Sequence, residues 1–585
     1  MLADIAPGPL SSIPSQFTHL ADGTTVFAAT DGSLGRELWV RTLDDDVFLL
    51  EDINPGPGDG LPFDLWMPMA SLGDRIVFLA DDGVHGAEPW VTDGTPQGTQ
   101  LLMDIAPGSN SSYVSELTTW GNYVVFSADD GIHGNELWMT DGTPAGTMMV
   151  ADLNAGSNSS FPGEFTPLGG SLFFRADDGI VGDELWKLPE PFSPPMLVED
   201  INPGPDGSSP SLFSEHQGML FFSAFHPMYG YEPWFTDGTM AGTGVLSDIC
   251  PGSCSSFPHS FTSSGSYLIF GANDGIFGDE LWRTDGTPNG TIMVLDIMSG
   301  SASSFLGELT PFNDIVLFTA DDGIFGNELW RTDGTPNGTM MVLDINPGPD
   351  WSWPYQLTNF GGGVWFNADD GASGYELWVS DGTAAGTMMY DILPGPGSSD
   401  PFEFSGFGGT LFFSAEDEFF GREPFIFELC TPQTEVCDGI DNDCDGLVDC
   451  DDPDLVDEAP PSASCVQAPL VLMLNEVGEA EVPAELLDSL STDNCLIDTM
   501  WSYPPVLDCS VKGDLVPVQL VVEDCVGLHD TCVAQVRVVD TIPPIVTCLD
   551  PTIYLDSSGS AMLQPDDVIL LLDDNCAIES TTISP

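Results

Sequence analysis

The stretch NELWMTDGTPAGT, residues 135 to 147, decides the fold because the chain repeats it. Its glutamate, Glu136, has counterparts at Glu184, Glu232, Glu280, Glu328 and Glu376, each 48 residues after the last, and further copies at Glu37, Glu88 and Glu423. Trp stands two places later in eight copies and Phe425 in the ninth. A second marker, Asp-Ile or Asp-Leu, also occurs nine times, at Asp4, Asp52, Asp104, Asp152, Asp200, Asp248, Asp296, Asp344 and Asp391. A fixed period of this length is the signature of a propeller or solenoid, in which no unit can bury its apolar face alone.

One unit, residues 104 to 152, reads as four short strands. SELTTWG and NYVVFSA precede the turn DDGIHG, and NELWMT and MMVADL flank the turn DGTPAGT. Gly and Asp punctuate every turn, and no segment of the unit has helical spacing. Four strands in about 48 residues match one propeller blade. The expected fold is therefore all-β, a β-propeller of about nine four-stranded blades. The ninth unit, from 396 to 428, supplies three strands and then runs into CTPQTEVCDG, whereas Met1 to Ile5 resemble an orphan fourth strand. The N-terminus is expected to complete the last blade and remove its open edge.

Leu137 and Trp138 point to opposite faces of one strand, and in a propeller both faces of a blade pack on neighbours, so both are expected in the core. The acids pose a sharper question. A symmetric hairpin would set Glu136 directly opposite Asp152, and like charges in that position are destabilising. Such a cluster requires a cation, backbone N–H donors or a raised pKa. The reading favoured by turn chemistry has Glu136 capping the N–H groups of the DDG turn and Asp152 anchoring the crossover loop. Calcium at the blade ends is the rival.

Composition sets the environment. Ninety-two acidic residues against ten basic ones give a formal charge of −82, which repels nucleic acid and anionic membranes and favours cations as small partners. Forty-two per cent hydrophobic residues and 14 Trp argue for a large buried core rather than disorder. Eleven of the 13 cysteines lie from residue 430 onward, without Cys/His zinc spacing, and read as disulfide staples of an extracellular or cell-surface protein. Met1 leads straight into LADIAPGP, so an export signal is expected to lie outside this chain, and no run of about 18 apolar residues offers a membrane span.

Over roughly residues 1 to 428 the repeat resembles one found in large secreted or surface-attached bacterial proteins. The resemblance implies a non-catalytic extracellular scaffold. Units 1, 4 and 9 depart from it, with RTLDDD, KLPEPFSPP and IFELC in place of the TDGT hairpin.

The sharpest chemical signal lies in the Cys/Asp-rich segment 429–460. In EVCDGIDNDCDGLVDCDDPD, Asp441, Asp443 and Asp445 alternate, Gly446 follows, and Asp449 and Asp452 fall at the ninth and twelfth places from Asp441. That is the oxygen-ligand spacing of an EF-hand loop, with the Leu447 carbonyl at place seven, and hard oxygens select Ca2+ over zinc or copper. Cys437, Cys444 and Cys450 interleave with the ligands, so disulfides are expected to hold what helices hold elsewhere. The segment resembles the CDGIDNDCDG metal-binding motif of bacterial surface proteins and the calcium loops of thrombospondin type 3 repeats.

From about 461 the strands PLVLMLNEVGEAEVP, DLVPVQLVVEDCVG and TCVAQVRVVDTIPP alternate like those of a small sandwich. TDNC at 492 to 495 recurs as DDNC at 573 to 576. This resembles the hyalin repeat, an immunoglobulin-like module associated with adhesion, with one copy at 461–541 and a partial second at 542–585. The expected function is a calcium-binding adhesion or interaction scaffold, its propeller the binding face for an extracellular polysaccharide or surface protein and its tail a stalk. The alternative is a secreted propeller enzyme acting on polysaccharide or a cofactor-dependent small substrate. Seven scattered histidines and near-identical repeats give it no evident acid/base constellation.

Overall fold

The computed structural model describes residues 1–43, 45–62, 69–429, 459–493 and 497–584, and the chain divides into two compact units, Met1–Leu429 and Cys430–Pro585. Among the described residues the first unit is a series of nine antiparallel sheets, eight of four strands and the last of three. The third is typical. Ser115–Trp120, Tyr123–Asp129, Asn135–Thr140 and Met148–Ala151 follow one another as a meander. Units 1 and 4 keep a fourth strand, Val47–Glu51 and Met196–Glu199, although both lack the TDGT turn.

The first strand of each sheet touches the first strands of the sheets before and after it, and Phe402–Phe407 of the ninth touches Ser15–His19 of the first. The cycle closes, which is the arrangement of a β-propeller. Its core lies between sheets. Leu137 packs with Phe165, Phe174 and Trp186 of the following sheet, while Trp138 packs with Val77, Val91 and Leu102 of the preceding one. Strand alternation thus sends neighbouring side chains into different cores, as the sequence predicts. Phe27 of the first sheet and Phe412 of the ninth share a cluster with Ile5 and Phe17, so the same packing continues across the closure. Burying each such ring removes enough apolar surface to contribute about 2 kcal/mol.

The N-terminal segment docks where a fourth strand of the ninth sheet would run, but Met1 to Ile5 do not form one. The Leu2 N–H donates to the Pro424 carbonyl at 2.7 Å, the same link that Leu102 makes to Pro89 and Leu246 to Pro233. Further along, the Ser12 N–H donates to the Arg422 carbonyl at 2.9 Å, and side chains make further links, described below.

The TDGTPAGT hairpin satisfies itself. Asp141 Oδ1 accepts the Thr143 N–H at 2.9 Å and its hydroxyl at 2.6 Å, Thr143 Oγ1 accepts the Gly146 N–H, and Thr140 and Thr147 share a hydroxyl bond of 2.7 Å. Gly142 has φ of 80°, and a Cβ on Gly146 would lie 2.1 Å from Asp141 Oδ1. The motif is therefore accounted for by turn geometry alone. Gly146→Ala is expected to push Asp141 out of its turn and cost about 1 kcal/mol of stability, read as a lowered urea midpoint.

The second unit has a four-stranded sheet in the order Leu470–Met473, His529–Val539, Leu515–Asp524, Ile497–Tyr503, the first pair parallel. Two-stranded pairs form from Glu479–Glu481 with Val506–Asp508 and from Ile545–Cys548 with Ile569–Asp573. Cys465–Cys532 and Cys509–Cys576 are disulfides, the second tying the segment after 542 to the strands before it, and Cys548 is free and exposed.

Candidate functional site

The predicted calcium ligands Asp441, Asp443, Asp445, Leu447, Asp449 and Asp452 lie outside the described residues. Among the described residues no group of three His, Cys, Asp or Glu side chains is placed to hold a metal ion.

The repeated glutamates are all buried, and their carboxylates face donors. Glu136 accepts the Leu153 N–H at 2.8 Å, the Ser160 N–H at 3.0 Å and the Ser160 hydroxyl at 2.7 Å. Glu232 accepts the N–H groups of Ile249, Cys250 and Ser256 and the Ser256 hydroxyl at 2.6 Å. Each glutamate clasps the crossover that leaves its own sheet. The expectation that it caps the DDG turn is corrected: Asp129 and Asp130 cap that turn, accepting from Gly131, Ile132 and His133. The strand Met148–Ala151 stops one residue short of Asp152, so Glu136 and Asp152 form no ladder pair, yet the Leu137–Ala151 register leads to them, and the Asp152 charge adds to burial in pushing the Glu136 carboxyl up. Asp152 instead accepts the Gly156 N–H within the crossover, the anchoring role the sequence suggests.

The ninth glutamate uses the same clasp on the other end of the chain. Glu423 accepts from the N–H groups of Ile5, Ala6 and Ser12 and from the Ser12 hydroxyl at 2.6 Å. Burial pushes these carboxyls up against the pull of their donors, to about 7 at Glu37, Glu88, Glu184, Glu232, Glu280 and Glu328 and upward also at Glu136, Glu376 and Glu423.

Sequence reasoning missed the serine of this clasp. Ser12, Ser112, Ser160, Ser208, Ser256, Ser304, Ser352 and Ser399 are all buried at one point of the repeat, and a polar residue recurring there was the available signal. It missed a second clasp as well. At a bulge in most first strands one residue holds φ near 55°, and where it is Glu or Gln its side chain reaches the next sheet. Glu164 accepts the Leu212 N–H at 3.0 Å, Glu308 the Leu357 N–H at 3.1 Å, Gln356 the Glu403 N–H at 2.6 Å and Glu403 the Gln16 N–H at 2.9 Å. The last of these again bridges the chain ends.

The described residues line several clefts that could take a ligand. One of about 730 Å³ is lined by first-strand residues including Gln16, His19, Met69, Gln356 and Glu403. His19 bonds Thr25 and Ser405 at 2.9 Å, and burial and then Arg41 push its pKa down to about 4, so it is neutral near pH 7 and a poor proton donor there.

Another, of about 540 Å³, lies between the seventh and eighth sheets and is lined by Phe305, Glu308, Trp353, Tyr355, Asn367 and Asp400. Trp351 stands behind it, with ring centroids 4.5 Å from Trp353 and 5.5 Å from Phe305. Asp400 is held by Arg422 at 3.0 Å and by the Asn367 amide nitrogen at 3.0 Å. The Glu308 carboxyl is pushed up by burial.

No protein-family model matches the chain, and no curated protein matches its sequence. Among solved structures it is similar to puromycin hydrolase, at 12% identity over 62% of this chain and 59% of that one with a TM-score of 0.34. It is similar to the β-propeller domain of the Trilobed protease from Pyrococcus furiosus, at 12% identity over 64% of this chain and 96% of that one with a TM-score of 0.30. A third is Sqt1 from Saccharomyces cerevisiae, at 11% identity over 61% and 93% of the two chains and a TM-score of 0.34.

Proposed function

We infer that the chain is an extracellular, calcium-stabilised interaction scaffold, with a nine-bladed ring as the binding body and the unit after residue 460, read as hyalin-repeat-like and immunoglobulin-like, as a stalk. The observation that carries this reading is the alternation of Asp441, Asp443 and Asp445 with Gly446 at place six, a ligand order that random acidity does not produce. The clasps support the other half of it. The repeated acids are occupied in holding crossovers, so the repeat is architecture and binding is left to surfaces that differ between blades. Disulfides at Cys250–Cys254, Cys465–Cys532 and Cys509–Cys576 fit an oxidising compartment. In the described residues no helix is long and apolar enough to cross a membrane.

Calcium is expected to raise the melting temperature of the full chain, with a stabilisation of about 3 kcal/mol at a hundredfold excess over Kd. The increment should vanish in a chain carrying Asp443→Asn and Asp445→Asn and persist in Glu136→Gln. An increment lost in Glu136→Gln and kept in the loop variant would place the cation in the blades and overturn this reading.

One observation favours a second reading, a propeller enzyme acting on polysaccharide. Glu308, its carboxyl raised by burial, lines the same cleft as Asp400, and glycoside hydrolysis uses two carboxyl groups flanking one bond. Release of reducing ends from a neutral polysaccharide, abolished in Glu308→Gln, would establish it. The presence of Glu116, Glu164 and Glu403 at the equivalent position speaks for a clasp instead.

A further inference from the structure

In a ring of near-identical units, the places where one unit departs from the rest show where selection acted on something other than the fold. Among the crossovers of the 48-residue units, PDWSWPYQ, residues 349 to 356, is a marked departure. Position 351 is Trp where five other crossovers carry Ser111, Ser159, Gly207, Ser255 and Ser303, and position 355 is Tyr where those five carry Ser115, Gly163, Ser211, His259 and Gly307, while the first and last carry Phe63 and Phe402. Trp353 itself has aromatic counterparts at Tyr113, Phe161, Phe257 and Phe305, all exposed. Among the described residues, three further features join Trp353 here: a second Trp behind it, a Tyr beside it and a cleft between them.

The geometry points to this cleft as a binding site for a neutral oligosaccharide chain. This rests on the reading of the ring as a binding body and adds the place and the ligand class. Phe305, Trp353 and Tyr355 are 55%, 52% and 49% exposed, so three ring surfaces stand open within one concavity. Open aromatic faces suit the C–H faces of pyranose rings, which are flat, apolar and rimmed by hydroxyls.

The polar groups supply the complementary half. Asn367 is only 3% exposed, and its amide nitrogen is spent on Asp400, which fixes its orientation. Its carbonyl oxygen then has no partner, and a buried acceptor left unmade costs about 1–3 kcal/mol. A ligand hydroxyl would satisfy it. Both acids of the cleft are already engaged, Asp400 by Arg422 and Glu308 by the Leu357 N–H, so no uncompensated charge calls for a cation. The formal charge of −82 disfavours an anionic glycan. The cleft's volume of about 540 Å³ falls in the range of about 300–1,000 Å³ usual for small-ligand sites.

The test titrates the full chain, with calcium present, against cellohexaose, xylohexaose, mannohexaose and chitohexaose, with hexagalacturonate as the anionic control and a panel of hexapeptides. At least one neutral hexasaccharide should bind, and Trp353→Ala and Asn367→Ala should each weaken it at least tenfold. Phe161→Ala, which removes an exposed ring from the same point of another crossover, should leave binding unchanged. Near-UV circular dichroism and melting of each variant establish that the ring is intact. The inference is overturned if no neutral hexasaccharide binds, if binding is indifferent to Trp353→Ala, or if only peptides or hexagalacturonate bind. Any of these results leaves the calcium increment of the scaffold reading where it was, so the two fail separately.

Discussion

Glu423→Ala is expected to lower the stability of the ring by about 3 to 5 kcal/mol, and by more than Glu232→Ala does, although both glutamates hold the same set of donors. Removing either carboxylate leaves two N–H groups unpaired in a buried crossover, those of Ile5 and Ala6 or of Ile249 and Cys250, and takes the shorter bond from a serine that keeps the Arg422 or Tyr231 carbonyl; such groups cost about 1–3 kcal/mol each before the structure relaxes. The difference lies in what else holds the two crossovers. The one under Glu232 is tethered covalently at both ends, to strands Gly244–Val245 and His259–Ser264. The one under Glu423 belongs to the N-terminal segment, which has the Leu2 bond to Pro424, the Ser11 and Ser12 bonds to the Arg422 backbone and the Ile5 contact with Phe17 and Phe27 but no chain linking it to the ninth sheet. Its loss frees the segment and bares the edge of Gly421–Glu428. Urea midpoints of the two variants, followed by tryptophan emission, give the comparison. Equal losses, or a loss at Glu423 below about 0.5 kcal/mol, would show that the ring does not depend on this clasp.

The second large effect is one of pH. Melting temperature is expected to fall steadily between about pH 5 and pH 8. A carboxyl whose pKa is higher in the folded ring than its ordinary 4.5 holds its proton more tightly when folded. Its contribution to stability is complete below 4.5 and is lost as pH climbs through about 7, with each shift of this size worth about 3 kcal/mol at most. Turn aspartates work in the opposite sense. Asp130, Asp237, Asp285 and Asp333 are lowered by their hydrogen bonds, so their contribution is present above 3.8 and disappears as pH falls below it. The optimum should therefore fall near pH 5. Repulsion within a chain of charge −82 changes in the same direction as the buried glutamates, and salt separates the two. At 1 M salt the Debye length is about 3 Å, so surface repulsion is screened while groups buried under crossovers are not, and the fall in melting temperature should persist. Its disappearance in salt would assign the effect to the surface.

The period, the strand order and the burial of Leu137 and Trp138 were readable from sequence because each follows from a pattern local to one unit. Docking of the N-terminus was readable from the phase of Asp4 against the other Asp-Ile markers, although only one backbone bond replaces the expected strand. The partners of Glu136 were not readable. They depend on a crossover that folds back so that Leu153 and Ser160, 17 and 24 residues on, reach one carboxylate. Spacing along a chain does not specify it. The aromatic cleft is formed by two sheets together, so no single repeat contains it, yet PDWSWPYQ stands out once the other crossovers are aligned with it.

Closure of the ring by its own N-terminal segment is tested most directly by hydrogen exchange at Ile5, Ala6 and Ser12, whose N–H groups all meet Glu423. Ile249, Cys250 and Ser256 meet Glu232 in the same way and serve as the internal standard. Protection of the first set within about tenfold of the second is the predicted result. Exchange of Ile5, Ala6 and Ser12 at unfolded-chain rates, while the second set stays protected, would contradict it.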